Sequence, residues 1–347
     1  MIGIRRGYLD RFPRVNLGIW PTPLQELSRM GGRVSHHKLF IKRDDLTGLG
    51  QGGNKTRSLE FLLGDALRKG ADVILTAGRS QSNLCSLTAA ACCKAGIECV
   101  LVHNDDPPDS PEGNMILNRI FGAESVFVGK VDEEQRTGKM EAIARELETR
   151  GRKPYIIYNG TSTPLGALGY VSAAFELYGQ IRSQSLDVRH VAIVGAMGGT
   201  ASGFVLGTAL LGHPFHVHVI SVEYPKPVLH RLMAELISGA AEMIKEVEGL
   251  QPLAPPEEVM TVYDDHLGEG YAIPTPLSKR TWYELARTEG ILSEHVYTSK
   301  CLGGFLDLIQ KGIIPPDEGA CYIHTGGLAS VFTQGVVRLL QASGEVV

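Results

Sequence analysis

Lys42-Arg43-Asp44-Asp45-Leu46-Thr47-Gly48-Leu49-Gly50-Gln51-Gly52-Gly53-Asn54-Lys55-Thr56-Arg57 is the stretch around which the chain is organised. A glycine-crowded polar loop delivers one lysine, Lys55, to the point where the helical pattern Ser58-Leu59-Glu60-Phe61-Leu62-Leu63 begins. Glycine lets backbone approach a ligand closely, and a helix N-terminus attracts anions, so Lys55 is expected to face a small anionic cofactor or substrate. Most lysines are simply solvated. The reading therefore needs partners elsewhere in the chain.

Working outward, a short strand at 38–42 runs into this loop and a helix leaves it, reaching about Arg68. Strands at 72–76, 98–103, 125–128 and 154–158 then alternate with helices at 82–95, 113–121 and 132–150. A second alternating block places helices at 168–182 and 202–211 between strands at 190–194 and 216–222. Helices at 229–247, 278–289 and 301–310, a last strand at 320–324 and a closing helix at 329–340 follow. Strands alternating with helices of this length predict an α/β fold of two domains, each a mostly parallel sheet flanked by helices, with a cleft between them. Residues 1–50 plus 163–347 form the expected larger domain, and 51–162 a smaller inserted one. The proline-punctuated Trp20-Pro21-Thr22-Pro23-Leu24 predicts an extended lead-in, with no sheet of its own, packed on the second block.

Composition narrows the function. The 347 residues are 43% hydrophobic and 21% charged with a formal net charge of −4, so no basic field invites nucleic acid or an anionic membrane. No apolar leader follows the first residues and no apolar run reaches the length of a membrane span, which gives a cytoplasmic expectation. The six cysteines lack zinc-type spacing and read as buried, reduced thiols, and no metal site is expected.

Besides Gly52-Gly53-Asn54-Lys55, three glycine-associated segments lie at strand ends or helix entries, where ligands of open α/β sheets bind. Thr76-Ala77-Gly78-Arg79-Ser80-Gln81-Ser82-Asn83 ends one strand; Ser82 and Asn83 stand at helix-cap positions and could also hold a carboxylate or phenolic oxygen. Val194-Gly195-Ala196-Met197-Gly198-Gly199-Thr200-Ala201-Ser202-Gly203 fits neither a Walker A loop nor G-x-G-x-x-G, yet its backbone N–H groups can cradle phosphate. Cys321-Tyr322-Ile323-His324-Thr325-Gly326-Gly327 offers Thr325 to a heterocyclic nitrogen, with His324 read as a satisfied core histidine. Tyr271 and Tyr297 lie in polar loops, where a tyrosine is usually a packing anchor and can also move a proton.

Pro21-Thr22-Pro23-Leu24, Lys42-Arg43-Asp44-Asp45, Gly52-Gly53-Asn54-Lys55-Thr56-Arg57, Gln81-Ser82-Asn83, Val296-Tyr297-Thr298 and His324-Thr325-Gly326-Gly327 follow one another in this order. In that order the chain resembles the fold-type II pyridoxal-phosphate enzymes, and among them the 1-aminocyclopropane-1-carboxylate deaminase and D-cysteine desulfhydrase family. The resemblance implies pyridoxal 5'-phosphate in the cleft, a small amino-acid substrate and a homodimer. It implies that Lys55 forms the Schiff base and shuttles the substrate proton, with Ser82, Tyr271 and Tyr297 as the other catalytic residues. Cofactor contacts carry over to Asn54, Lys55, Asn83, Gly198, Gly199, Thr200, Ala201, Ser202, Thr298, Thr325 and Gly326, and substrate contacts to Arg79, Gln81, Ser82, Asn83 and Tyr297. The phosphate thereby belongs to the 198–202 turn and the aldehyde to Lys55.

The deaminases resemble one another in a glutamate at the position of Thr298 and a leucine at that of Thr325, so the threonines here are similar to the desulfhydrases. The implied reaction is α,β-elimination from D-cysteine or a related β-substituted alanine to pyruvate, ammonia and sulfide or another leaving group. The alternatives are cyclopropane deamination, a lyase for a substrate with an anionic β-substituent, racemisation, and a ligand-binding homologue without catalysis. Leu84-Cys85-Ser86, Arg79-Ser80, Ser299 and Cys301 depart from the usual family residues, and Arg79 would favour an extra anionic group on the substrate.

Overall fold

The computed structural model describes residues 9–36 and 38–342. In chain order it contains β1 (Leu24–Glu26), α1 (Ser28–Arg33), β2 (Leu39–Arg43), α2 (Lys55–Arg68), β3 (Val73–Ala77), α3 (Asn83–Ala95), β4 (Glu98–His103), α4 (Asn114–Ile120), β5 (Glu124–Phe127), α5 (Glu133–Thr149) and β6 (Pro154–Ile157). Then come α6 (Pro164–Ser183), β7 (Val188–Gly195), α7 (Gly199–Leu210), β8 (His216–Ser221), α8 (Lys226–Glu248), α9 (Pro256–Val259), β9 (Met260–Tyr263), α10 (Pro276–Glu289), α11 (Thr298–Gln310), β10 (Gly319–His324) and α12 (Gln334–Ala342).

Two sheets result, one of six strands in the order β1-β2-β10-β7-β8-β9 and one of four in the order β5-β4-β3-β6. Every pairing is parallel except that of β1 with β2. The apolar runs Val73-Ile74-Leu75 and Val191-Ala192-Ile193 suit strands covered on both faces, and helices do cover both. On the large sheet, α6, α7 and α8 pack one face and α11 the other; on the small sheet, α2 and α3 pack one face and α5 the other.

Local chemistry sets the helix ends. Ser82 caps α3 by accepting from the Cys85 N–H, and Gly96 ends it in the left-handed conformation. Thr163 caps α6 with Pro164 in its first turn. Asp132 and Gln135 form a capping box at α5.

The structure adds to the reading of the lead-in and corrects that of one cysteine. The extended lead-in joins the large sheet as a strand: β1 pairs antiparallel with β2, which leaves the prolines at the sheet edge where a missing N–H costs nothing. The segment before it also straddles both cores, Leu9 and Phe12 joining the α6–α7 cluster and Leu17 the α2–α3 cluster. Of the cysteines, which are all free, Cys93 is exposed, because its position on α3 faces away from the sheet.

Beneath the opening loop, much of its charge is buried. Arg57 (3% exposed) makes a two-pronged contact to Asp44 (0%), with Nε 2.7 Å from Oδ2 and Nη2 2.8 Å from Oδ1. Glu176 on α6 bonds both Arg57 and Lys42, and the Tyr170 and Thr22 hydroxyls donate to Asp44 at 2.7 Å. Burial alone would push the Asp44 carboxyl up, yet the Arg57 guanidinium holds it down at about 2. This network ties β2, α2 and α6 together two residues from Lys55.

Candidate functional site

Lys55 is the first residue of α2, and its amine donates to the Gly160 carbonyl at 2.5 Å. Unlike Lys42 and Arg57 it has no carboxylate in hydrogen-bond contact among the described residues. Burial pushes its pKa down to about 8, against a smaller upward pull from the Glu223 carboxylate. An amine in that state is partly uncharged at neutral pH and can attack a carbonyl or take a proton.

The other glycine segments converge on this lysine. Asn54 donates from Nδ2 to the Thr200 hydroxyl at 2.9 Å, which joins the lysine loop to the start of α7. Its backbone N–H donates to the Thr325 carbonyl at 3.0 Å beside a bridge between Gly53 and Gly326, which joins the same loop to the end of β10. A Cβ on Gly327 would lie 3.3 Å from Asn83 Nδ2 and 2.4 Å from Glu294 Cγ, so α3 and the turn before α11 meet there as well.

Gly198 stands at the N-cap of α7 with φ +87° and no side-chain cap. The Gly199 N–H reaches Ser162 Oγ at 3.3 Å, and a Cβ on Gly199 would sit 2.8 Å from Ser162 Cα. An uncapped helix start lined by glycine can hold an anion against its N–H groups. Thr200 is half-buried there and Ala201 fully buried, whereas the Ser202 hydroxyl turns inward and donates to the Met233 carbonyl at 3.4 Å.

Tyr271 and Tyr297 meet with their hydroxyls hydrogen-bonded and their rings edge to face, centroids 5.8 Å apart. Burial pushes both phenols up, Tyr297 well above the usual range, so both keep their protons at neutral pH. Thr298 Oγ1 accepts from the Glu294 N–H at 2.8 Å, and the Glu294 carboxylate accepts from the N–H groups of Val296, Tyr297 and Thr298. Thr325 stands at the end of β10, 6% exposed. His324 is the core histidine expected: its Nδ1 accepts from the Gly326 N–H at 3.1 Å, which leaves Nε2 to donate to the Leu292 carbonyl at 2.8 Å.

Gln81 engages both ends of its amide in structure, Nε2 with the Glu112 carbonyl and Oε1 with the Asn114 N–H, each at 3.0 Å. Arg79 is exposed; its electrostatic influence reaches Tyr271. Its neighbour Ser80 is anchored by Asp105. Sequence reasoning missed Glu223 and Tyr224, which follow β8. Burial pushes the Glu223 carboxyl up, and burial with Glu223 beside it pushes the Tyr224 phenol to about 12. The signal was present, since these residues end a predicted strand on the same side as the glycine turn. A cluster of this kind, with a lysine of lowered pKa, a glycine-lined helix N-terminus and paired phenols, fits an aldehyde cofactor carrying a phosphate.

The family described as "Pyridoxal-phosphate dependent enzyme" matches residues 15–326. The chain is a pyridoxal-phosphate-dependent enzyme. A Pyrococcus horikoshii protein, provisionally named a 1-aminocyclopropane-1-carboxylate deaminase, is 38% identical over 94% of this chain and 95% of its own. A Serratia proteamaculans D-cysteine desulfhydrase is 33% identical over 93% and 96%. The crystal structure of an ACC deaminase homologue superposes with a TM-score of 0.84 at 36% identity, covering 96% of this chain and 97% of that one. This pyridoxal-phosphate enzyme thus has relatives bearing both names at similar coverage. Among its described residues no helix is long and apolar enough to cross a membrane.

Proposed function

We propose that this enzyme is a lyase that carries out α,β-elimination on D-cysteine or a related β-substituted alanine, yielding pyruvate, ammonia and sulfide or the corresponding leaving group. One observation carries the reading. Position 298 is a threonine whose hydroxyl is engaged with Glu294, and the nearby Glu294 carboxylate is itself occupied by three backbone N–H groups. Thr325 is then the group offered to a ring nitrogen. A carboxylate there would keep the ring protonated and strongly electron-drawing; a hydroxyl does not. The weaker sink suffices when a good leaving group departs from the β-carbon, and suits an unactivated cyclopropane less.

Bound pyridoxal phosphate supplies an aldehyde that captures amines and a ring that draws electrons from the α-carbon. In this reading Lys55 Nζ would hold the cofactor through its aldehyde and would carry the substrate's α-proton. Gly198, Gly199, Thr200 and Ala201 at the start of α7 would receive the phosphate, with Asn54 bracing Thr200, while Ser202, its N–H donating to the Gly198 carbonyl and its hydroxyl to that of Met233, would hold the turn in place. Asn83 would stand beside the cofactor's phenolic oxygen and Ser82 would hold the substrate carboxylate. Tyr271 and Tyr297, held protonated, donate to the departing sulfur. The same reading divides the chain into 1–50 plus 163–347 and 51–162, with the site between.

Cyclopropane deamination is the second reading, favoured by the name of the Pyrococcus relative. The test is a panel of D-cysteine, L-cysteine, β-chloro-D-alanine and 1-aminocyclopropane-1-carboxylate, with the keto acid identified. Pyruvate from D-cysteine and β-chloro-D-alanine is expected, and loss of the cofactor's visible absorbance in Lys55→Ala. α-Ketobutyrate from the cyclopropane substrate, with no pyruvate from the others, would overturn the elimination reading.

A further inference from the structure

The Asn83 side chain can turn either its N–H2 or its carbonyl toward the cleft, and its own place at the start of α3 does not decide which. Asn114 decides it. This residue opens α4 and is fully buried. Its Nδ2 donates to the Gln81 backbone carbonyl at 2.9 Å and to Asn83 Oδ1 at 2.9 Å, and its Oδ1 accepts from Gln51 Nε2 at 2.9 Å.

A backbone carbonyl can only accept, so the amide of Asn114 has one workable orientation. The backbone agrees: the Asn114 N–H can only donate, which makes Gln81 Oε1 the acceptor and sends Gln81 Nε2 to the Glu112 carbonyl. With Nδ2 of Asn114 fixed, Asn83 Oδ1 must turn to it. Asn83 Nδ2 is left on the side of Gly327, where a Cβ would lie 3.3 Å away.

We propose that Asn114 is a positioning residue that locks the Asn83 amide with its N–H2 toward the cofactor, so that an oxygen beside it is bound as an anion. This rests on the reading of Asn83 as the neighbour of the phenolic oxygen. A donor to a phenolate draws charge away from it and weakens its hold on the adjacent iminium proton. Losing the donor therefore raises the pH at which the bound cofactor's visible band disappears.

The experiment titrates that band in purified holoenzyme for wild type, Asn83→Ala, Asn114→Asp and Asn114→Ser, with thermal unfolding to verify folding. Asn114→Asp keeps the shape but can no longer donate to Asn83. Asn114→Ser removes the amide and serves if the aspartate variant does not fold. Asn83→Ala and a folded Asn114 variant should both move the midpoint up by about one pH unit, a tenfold change in proton affinity. A shift in Asn83→Ala with none in a folded Asn114 variant would overturn the positioning role alone. No shift in Asn83→Ala would overturn the reading of Asn83 and the proposal with it.

Discussion

Replacing Gly326 with alanine tests whether the meeting of two distant loops holds the site together. Gly326 has φ +99°, and an added Cβ would lie 2.7 Å from Gly53 Cα, 3.3 Å from the Gly52 carbonyl oxygen and 3.4 Å from the Gly53 nitrogen. The conformation costs an L-residue about 1–3 kcal/mol. Carbon atoms rest about 3.5–4.0 Å apart, so the bridge must also open by about 1 Å. That displacement falls on the backbone two residues before Lys55 and on the bond from the Asn54 N–H to the Thr325 carbonyl. The combined cost is about 2–4 kcal/mol. Gly96→Ala is the control, because Gly96 has φ +68° and nothing within 4 Å of its Cβ position, leaving only the conformational part. Denaturant unfolding should show Gly326→Ala losing more than Gly96→Ala, and the cofactor dissociation constant should rise at least tenfold in the former alone. Equal unfolding midpoints and an unchanged cofactor dissociation constant in Gly326→Ala would refute the argument.

Two further outcomes are expected. In cofactor-free protein, labelling of Lys55 by an amine reagent, followed by mass spectrometry, should have a midpoint near pH 8, since the neutral amine reacts and burial has lowered its pKa; Glu223→Gln removes the opposing carboxylate and should move the midpoint lower, whereas no movement would place Glu223 outside the site. Arg57→Met leaves Asp44 and Glu176 buried without their guanidinium and should destabilise the fold by about 3–5 kcal/mol in denaturant unfolding, with a cost under 1 kcal/mol showing that the network is dispensable.

The alternation of strands and helices was legible because each element carries its own period and its own stops. The glycine-bounded strand at 190–194 and the capped helix after Asp132 needed no partner to be read. Elements whose stability is borrowed were missed. β1 has three residues, two of them exposed, and exists because β2 offers an edge; β9 and the short α9 before it exist because β8 and α7 do.

The candidate site shows the same division. Glycines and caps that break a pattern drew attention to Lys55, Asn83, the 198–202 turn and Thr325, and the ordered resemblance to a known family added Tyr297. What the opening stretch meant charge by charge was settled only in three dimensions. Lys42, Asp44 and Arg57 look as available as Lys55 in the sequence, yet Glu176, Tyr170 and Thr22 draw them into a buried network. Lys55 is left facing Gly160, with no carboxylate bound to it among the described residues. The sequence by itself determined the α/β architecture, because local pattern suffices for it, and its resemblance to a known family is what proposed residues for a pyridoxal phosphate. Only the tertiary structure decided which charges are neutralised, which way the Asn83 amide turns and that Glu223 bears on Lys55, because burial and hydrogen-bond partnership belong to residues far apart in the chain.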